Sequence, residues 1–223
     1  MKTPLAELCV GRVPFFCKGN VEMSLFLKAA QAWQKMVTTE YHITAGRKRK
    51  TVSFRLDFDL ADFPHLAGMQ YAQDVDFNLR PSEYYGEKLV SALLSGKMDG
   101  NKIEKSRNWE RIKGRLNAII GLQDTLDSEF AIALFDPARV HTNSRIDADY
   151  IIQNLHSGEI YFVFIDENKE HRHYCKSAFA KNNVDYMKNQ PLLTVLKKEK
   201  IENGVSCTLF QHPNFKEQTE AVV

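Results

Sequence analysis

Hydrophobic and polar positions alternate most clearly between residues 51 and 59. Val52, Phe54, Leu56 and Phe58 are apolar, while Ser53, Arg55, Asp57 and Asp59 are polar. A period of two is that of a half-buried strand. Tyr41 to Ala45 reads as its hairpin partner, with Gly46 and the run Arg47-Lys48-Arg49-Lys50 in the turn. A helical stripe of Val21, Leu25, Ala29, Trp33, Met36 and Val37 precedes them, with Asn20 as candidate cap of a helix over 21–38. Further helices are expected at 64–74, at 82–94 (Ser82 the candidate cap, Gly96 past its end), and at 102–126, where Ile103, Trp109, Ile112, Leu116, Ile119 and Ile120 face a core.

The texture changes after Leu126. Short apolar runs at 130–135, 160–165, 192–197 and 206–210 read as strands, and 171–178 as the return of a hairpin through 166–169. Residues 146–155 fit either a helix or a strand. Helices early and antiparallel strands late predict an α+β domain, with helices packed on a small antiparallel β-sheet. The expected division is an N-terminal extension over 1–20, one domain over 21–200, and a C-terminal strand and tail over 201–223.

Composition narrows the class. Of 223 residues, 43% are hydrophobic and 26% charged, so a sizeable core can form. No stretch reaches the ~20 apolar residues of a membrane span, and Glu7 and Arg12 break the apolar N-terminal run, so no signal peptide is read. A cytoplasmic protein without membrane association is expected. Cys9, Cys17, Cys175 and Cys207 lack zinc-ligand spacing, and reduced thiols are the default. The net charge is only +2, yet basic residues cluster locally, at 47–50, at Lys197, Lys198 and Lys200, and through 102–115. Phosphate-loop, GxGxxG, HExxH and GxSxG motifs are absent.

Three segments carry candidate chemistry. Pro64 fits a first helical turn, which places His65 near a helix start at a sheet edge. Such a position suits an acid–base imidazole and equally a capping histidine. Arg107, Arg111 and Arg115 recur every four residues and line one helical stripe, suited to phosphate or to pairing with Glu104 and Glu110. In a regular strand, His171, His173, Cys175 and Ser177 share one face and Arg172, Tyr174 and Lys176 the other. Two imidazoles and a thiolate on one face could ligate zinc, but no fourth ligand is evident nearby. A catalytic role without metal is the alternative. His42, His141, His156 and His212 belong to no constellation.

The order of these elements carries a resemblance. The strand ending at Phe58 is followed by Asp62-Phe63-Pro64-His65-Leu66-Ala67-Gly68 with Asp74, and by Ile103-Glu104-Lys105-Ser106 leading to Ile112 and Arg115. Ala148-Asp149-Tyr150, Ile160–Phe164, and Tyr174-Cys175-Lys176-Ser177-Ala178-Phe179 with Tyr186 complete the series. Over residues 40–197 the chain resembles the fourth phage-associated family of the barnase–EndoU–colicin–RelE superfamily of nuclease-like domains. The resemblance implies a small α+β fold and a metal-independent endoribonuclease, of the kind found among toxins and in conflicts with phages or mobile elements. It points to His65, Ser106, Arg115, Ser177 and Tyr186 as the matching polar positions.

Such a reaction needs a base for the 2′-hydroxyl, an acid for the leaving 5′-oxygen and a cation for the phosphate. His65 would act as base or acid, Arg115 would hold the phosphate with Arg107, Arg111 and Ser106, and Ser177 and Tyr186 would donate hydrogen bonds. His173 would be the second proton carrier. Arg47, Lys48 and Arg49 would add phosphate contacts, and Tyr41, Tyr174 or Tyr186 would stack on bases. The expected partners are RNA, tRNA among the candidates, and a cognate inhibitor protein, with no cofactor. The competing expectation is a non-catalytic module that binds RNA or a protein on a nuclease-like fold.

Overall fold

The structure is a computed structural model that describes residues 23–140, 144–156 and 158–216. The helix α1, Leu25–Met36, is capped by the Ser24 side chain accepting from the Leu27 N–H at 3.2 Å, while the expected cap Asn20 lies outside the described residues. Its buried stripe of Phe26, Ala29, Ala30, Trp33 and Met36 enters the core, and the Trp33 indole donates to the Asp59 carbonyl at 2.9 Å. Strands β1 (Thr39–Arg47) and β2 (Lys50–Asp57) form the expected hairpin. Lys48 and Arg49 take φ of 49° and 67°, the pair of left-handed residues that a tight two-residue turn requires.

After β2 come the one-turn helix α2 (Phe63–Leu66), then α3 (Glu87–Leu94), α4 (Trp109–Ile120) and α5 (Leu122–Asp127). Strands β3 (Ala131–Leu134), β4 (Tyr150–His156), β5 (Glu159–Glu167), β6 (His173–Ala180), β7 (Leu192–Glu202) and β8 (Val205–Gln211) complete the chain. The three expected helices are shorter than their apolar patterns. Residues 69–71 form a separate 3-10 turn after Gly68 (φ 85°), so 64–74 is not one helix. Gly86 at φ 61° delays the start of α3 to Glu87. The 102–126 segment breaks at Ser106, whose ψ of 139° is extended, and again at Gly121. The ambiguous segment 146–155 contains β4.

The strands overturn the expectation of helices packed on a small antiparallel sheet. Their order is β1-β2-β6-β5-β4-β3-β7, and β7 pairs back to β1 from Glu202↔Thr39 to Thr194↔Gly46, which closes seven strands into a barrel. The eighth strand, β8, extends from the other edge of β7. Closure leaves no free edge among the seven strands. The inner face is identified by side chains that meet across the ring: Phe54 of β2 stacks on Tyr150 of β4 at 4.6 Å between centroids, although two strands separate them. Tyr41, Ile43, Leu56, Ile152, Val163, Ile165 and Cys175 share this inner core with α1, α3 and α4. A second cluster of Phe135, Ile151, Phe162 and Phe164, joined by Phe179 and Tyr186, packs on the outer face.

The C-terminal end of α5 closes over part of the inner face. Asp127 accepts from the Tyr41 hydroxyl at 2.6 Å and from Lys200 at 3.0 Å. Buried Lys198 donates to the Leu126 and Ser128 carbonyls, each at 2.6 Å, where helix-end carbonyls would otherwise be unpaired.

The ring is weakest at one seam. Strands β2 and β6 run parallel and pair only at Leu56↔His173 and Asp57↔Tyr174. The chain then leaves β2 into α2, and α2 and α4 pack along the rest of β6. Small residues face each other here, with Gly114 of α4 opposite Ala180 of β6, where even an added Cβ would make only an ordinary contact at 3.9 Å.

Candidate functional site

His65, Arg111, Arg115, Lys176 and Tyr186 gather at this seam. Pro64 lies in the first turn of α2, as the sequence pattern requires, and His65 follows it with an accessible side chain. Two residues after the end of α2, Gly68 takes φ 85°. A Cβ on Gly68 would meet Arg115 Cδ at 3.0 Å and Tyr71 at 3.3 Å. The His-x-x-Gly spacing therefore lets the turn after His65 lie directly on the arginine of α4.

Arg115 is only 7% exposed. Its guanidinium lies 5.3 Å from the Tyr71 ring and 5.6 Å from the Phe179 ring, and donates to the Leu66 carbonyl at 3.4 Å. Among the described residues no carboxylate forms an ion pair with it. Burial lowers its pKa, Tyr71 opposes this, and the Arg111 charge adds to the lowering. A guanidinium nevertheless stays protonated near neutrality. One turn earlier, Arg111 lies 3.7 Å over the Tyr71 ring and donates to its hydroxyl at 2.9 Å. The protein around His65, and then the charges of Arg115 and Lys176, hold its pKa below the ordinary imidazole value. The position near a helix start is therefore not the main influence on this imidazole: partial burial and two cations are.

The β6 segment differs from a regular strand. Ile165 pairs with Cys175 and Phe164 with Ser177, so Lys176 is the extra residue of a bulge. The bulge sends Cys175 inward and Ser177 outward, onto the face of Phe179. His171 sits in the preceding turn at φ 61°, with Nδ1 2.8 Å from Glu167. The supposed face of His171, His173, Cys175 and Ser177 therefore does not exist, and with it goes that zinc arrangement. His173 packs 5.0 Å from Phe54 and 6.1 Å from Tyr150, the two rings that stack on each other. Burial pushes the Cys175 thiol far up, which leaves it an inert core group.

Tyr186 packs on Phe162, Phe164 and Phe179 at 5.4–5.6 Å. Burial raises its phenol pKa, while Arg111 and Arg115 act to lower it. Lys176 is held by Asp166 at 2.6 Å.

Other sequence-derived candidates lie elsewhere. Ser106 is buried and donates to Asp74 Oδ1 at 2.8 Å, while Asp74 Oδ2 accepts from the Arg107 N–H at 2.8 Å, so the pair ties the approach to α4 onto the 71–74 turn. Arg107 precedes α4 and its side chain is 92% exposed, so the three arginines do not form one helical stripe. Arg47, Lys48 and Arg49 are at the hairpin turn, separated from Asp57 by the length of β2, about 23 Å at ~3.3 Å per residue. Tyr41 is fully buried and bonded to Asp127, which removes it as a stacking platform. Tyr174 carries the Arg172 guanidinium at 5.5 Å.

Asp149, Glu167 and His173 bring ligand atoms within 4.8 Å of one another, an arrangement that could hold a cation. Asp149 is also engaged by the Glu167 N–H at 3.0 Å, and Glu167 by His171. The site residues that the pattern analysis missed are Lys176, Tyr71 and Gln70. Only the bulge and the 3-10 turn bring them to the seam.

A cleft of about 770 Å³ opens beside this cluster, with His65 on its wall. Among the described residues no helix is long and apolar enough to cross a membrane. No curated protein and no solved structure gives a match. Residues 25–205 match the family described as phage-Barnase-EndoU-ColicinE5/D-RelE like nuclease4, a match that spans the barrel strands, α1 to α5 and the seam, and the chain belongs to this nuclease-like family.

Proposed function

We propose that the seam is the active site of a metal-independent endoribonuclease that cleaves RNA by general acid–base transesterification. The observation that carries this reading is Arg115, a buried guanidinium without a carboxylate partner among the described residues, beside an imidazole whose pKa is held low. A desolvated cation of this kind is suited to an anion that arrives with the substrate. The two charged groups facing His65 are Arg115 and Lys176, and both favour a phosphate over a divalent metal ion at that position.

In this reading a neutral His65 accepts the proton of the 2′-hydroxyl. The 2′-oxygen bonds to phosphorus, the bond to the 5′-oxygen breaks, and a 2′,3′-cyclic phosphate remains. Arg115, aided by Arg111, holds the non-bridging oxygens as charge accumulates on them. Tyr186, which faces both arginines, gives its proton to the departing 5′-oxygen, in place of His173. Solvent restores both groups. Ser177, buried on the outer face with Phe179, keeps in this reading the role of a hydrogen-bond donor to the phosphate. A low imidazole pKa keeps the base unprotonated near neutrality, at some loss of basicity. Cytoplasmic action, as a toxin or in conflict with phages or mobile elements and opposed by a cognate inhibitor, is the setting proposed for such an activity.

Incubating total RNA and tRNA with the protein in EDTA tests this. Cleavage is expected, and His65→Ala is expected to slow it by about 10²–10⁴-fold, the usual contribution of one proton-transfer group. Equal cleavage by the variant would remove His65 from the mechanism. No cleavage by folded protein would favour the non-catalytic binding module.

A further inference from the structure

We infer that the cleft beside His65 is a pocket for one unpaired nucleobase, with Tyr85 as its stacking surface and the Gln70 amide as its polar contact. The inference rests on the proposed phosphate site at Arg115 for its second anchor. Its own evidence lies in the cleft.

Tyr85 is 71% exposed, among the most exposed large hydrophobic side chains of the described residues, and it lines the cleft. Neighbouring Tyr84 is half-buried, its ring 5.9 Å from Phe77 in an edge-on arrangement, which fixes the segment that carries Tyr85. Pro64 and Met69 supply apolar wall. An aromatic face open to solvent within a concave, partly apolar space is what a flat heterocycle requires.

Gln70 provides the polar element. Its Nε2 donates to the His65 carbonyl at 3.2 Å, and since that carbonyl only accepts, the amide orientation is set. Its Oε1 is buried and has no hydrogen-bond partner among the described residues. A buried acceptor left unpaired costs about 1–3 kcal/mol, and because Gln70 lines the cleft, a rotation of its side chain would present this oxygen to a donor on a ligand. Nucleobases present N–H donors on the edge used for pairing, and a carboxylate or phosphate group presents none. The pocket therefore takes the base, while Arg115, which does not line the cleft, takes the phosphate. A base within a duplex would have to leave its stack to reach Tyr85. The substrate class is accordingly RNA with an unpaired nucleotide next to the cleaved bond.

The test is fluorescence anisotropy with a short labelled RNA carrying 2′-O-methyl groups, which lack the attacking hydroxyl, offered single-stranded and as a duplex. The single strand is expected to bind more tightly. Tyr85→Ala is expected to weaken it about 5- to 150-fold, as loss of a base-stacking aromatic does, with Tyr85→Phe near the wild type and Gln70→Leu also weakened. Circular dichroism checks that each variant is folded. Equal affinity for duplex and single strand, absence of binding, or wild-type affinity in both Tyr85→Ala and Gln70→Leu overturns the pocket. Cleavage of unmodified RNA reports separately on the nuclease reading. Tyr85-dependent binding without cleavage leaves the pocket standing and removes the enzyme, whereas cleavage indifferent to Tyr85 does the reverse.

Discussion

Two arginines flank the same strand and have opposite surroundings. Arg172, just before β6, binds Asp57 at 3.0 Å and Asp62 at 3.1 Å and packs near the Tyr174 ring. Burial by itself would lower its pKa, but Asp62 and Asp57 more than offset this and leave it raised. Arg115 is more deeply buried, meets aromatic rings and a carbonyl, and has its pKa lowered by that burial. The first arginine fastens the end of β2 and the start of α2 to β6, where the barrel has only two pairs of strand residues to hold it. The second joins α4 to the end of α2 through the Leu66 carbonyl and balances no carboxylate among the described residues. A buried charge with no counter-charge among the described residues is a sign of a ligand, whereas a matched one is a sign of architecture.

Exchanging each arginine for methionine should separate the two roles. Arg115→Met is expected to reduce RNA cleavage by about 10²–10³-fold, the scale seen when a charge-stabilising donor is removed, with a thermal midpoint equal to or above that of the wild type. A large drop in midpoint would mean that Arg115 is structural after all. Arg172→Met is expected to do the opposite. Leaving Asp62 unpaired, and Asp57 with Arg55 alone at 3.2 Å, should cost about 2 kcal/mol by chemical denaturation, below the ~3–5 of a fully buried pair because the Arg172 side chain is 26% exposed. Cleavage per folded molecule should be retained.

Gly68→Ala probes the link between the two parts of the site. An alanine at φ 85° costs about 1–2 kcal/mol, and its Cβ would press on Arg115 at 3.0 Å. Stability should fall by that amount, and phosphate affinity measured by calorimetry should fall with it. Retained affinity would show that the contact with Arg115 does not matter.

The smallest effect concerns pH. His65 has a folded pKa below the ~6.5 of the unfolded chain. Between the two values the unfolded state holds more protons. Stability should therefore rise with pH across that window and be fully present above about pH 6.5. His65→Gln should flatten this slope in pH-dependent thermal unfolding. Inorganic phosphate bound at Arg115 should raise the His65 pKa, since an anion favours the imidazolium, and NMR titration of the imidazole would read the shift. A pKa indifferent to phosphate would place the anion away from the histidine.

Features that depend on neighbours in the chain were legible from residue order. The hairpin over β1 and β2 follows from alternation and a basic turn, and His65 near a helix start follows from Pro64. The association of His65 with Arg115 was expected from family resemblance rather than from periodicity, and Gly68 supplies its physical reason. The arginine stripe was half legible: Arg111 and Arg115 share α4, but Ser106 is held by Asp74 and ends the preceding turn before Arg107. The regular-strand reading of 171–177 failed because one bulge residue, Lys176, reverses every facing position after it. Tyr84 and Tyr85 had a signal that went unused, an adjacent aromatic pair within the turn-rich segment between Pro81 and Gly86.

Residue order alone determined the elements whose hydrogen bonds and apolar contacts close within a few positions, together with the family to which the chain belongs. Tertiary structure decided the closed barrel, because its final pairing joins Thr39 to Glu202 across nearly the whole described chain, and no local pattern encodes which strand completes a ring. It also decided the site. Whether a buried arginine is matched or left open depends on which carboxylates the seam between β2 and β6 brings near, and that seam exists only once the barrel has closed around it.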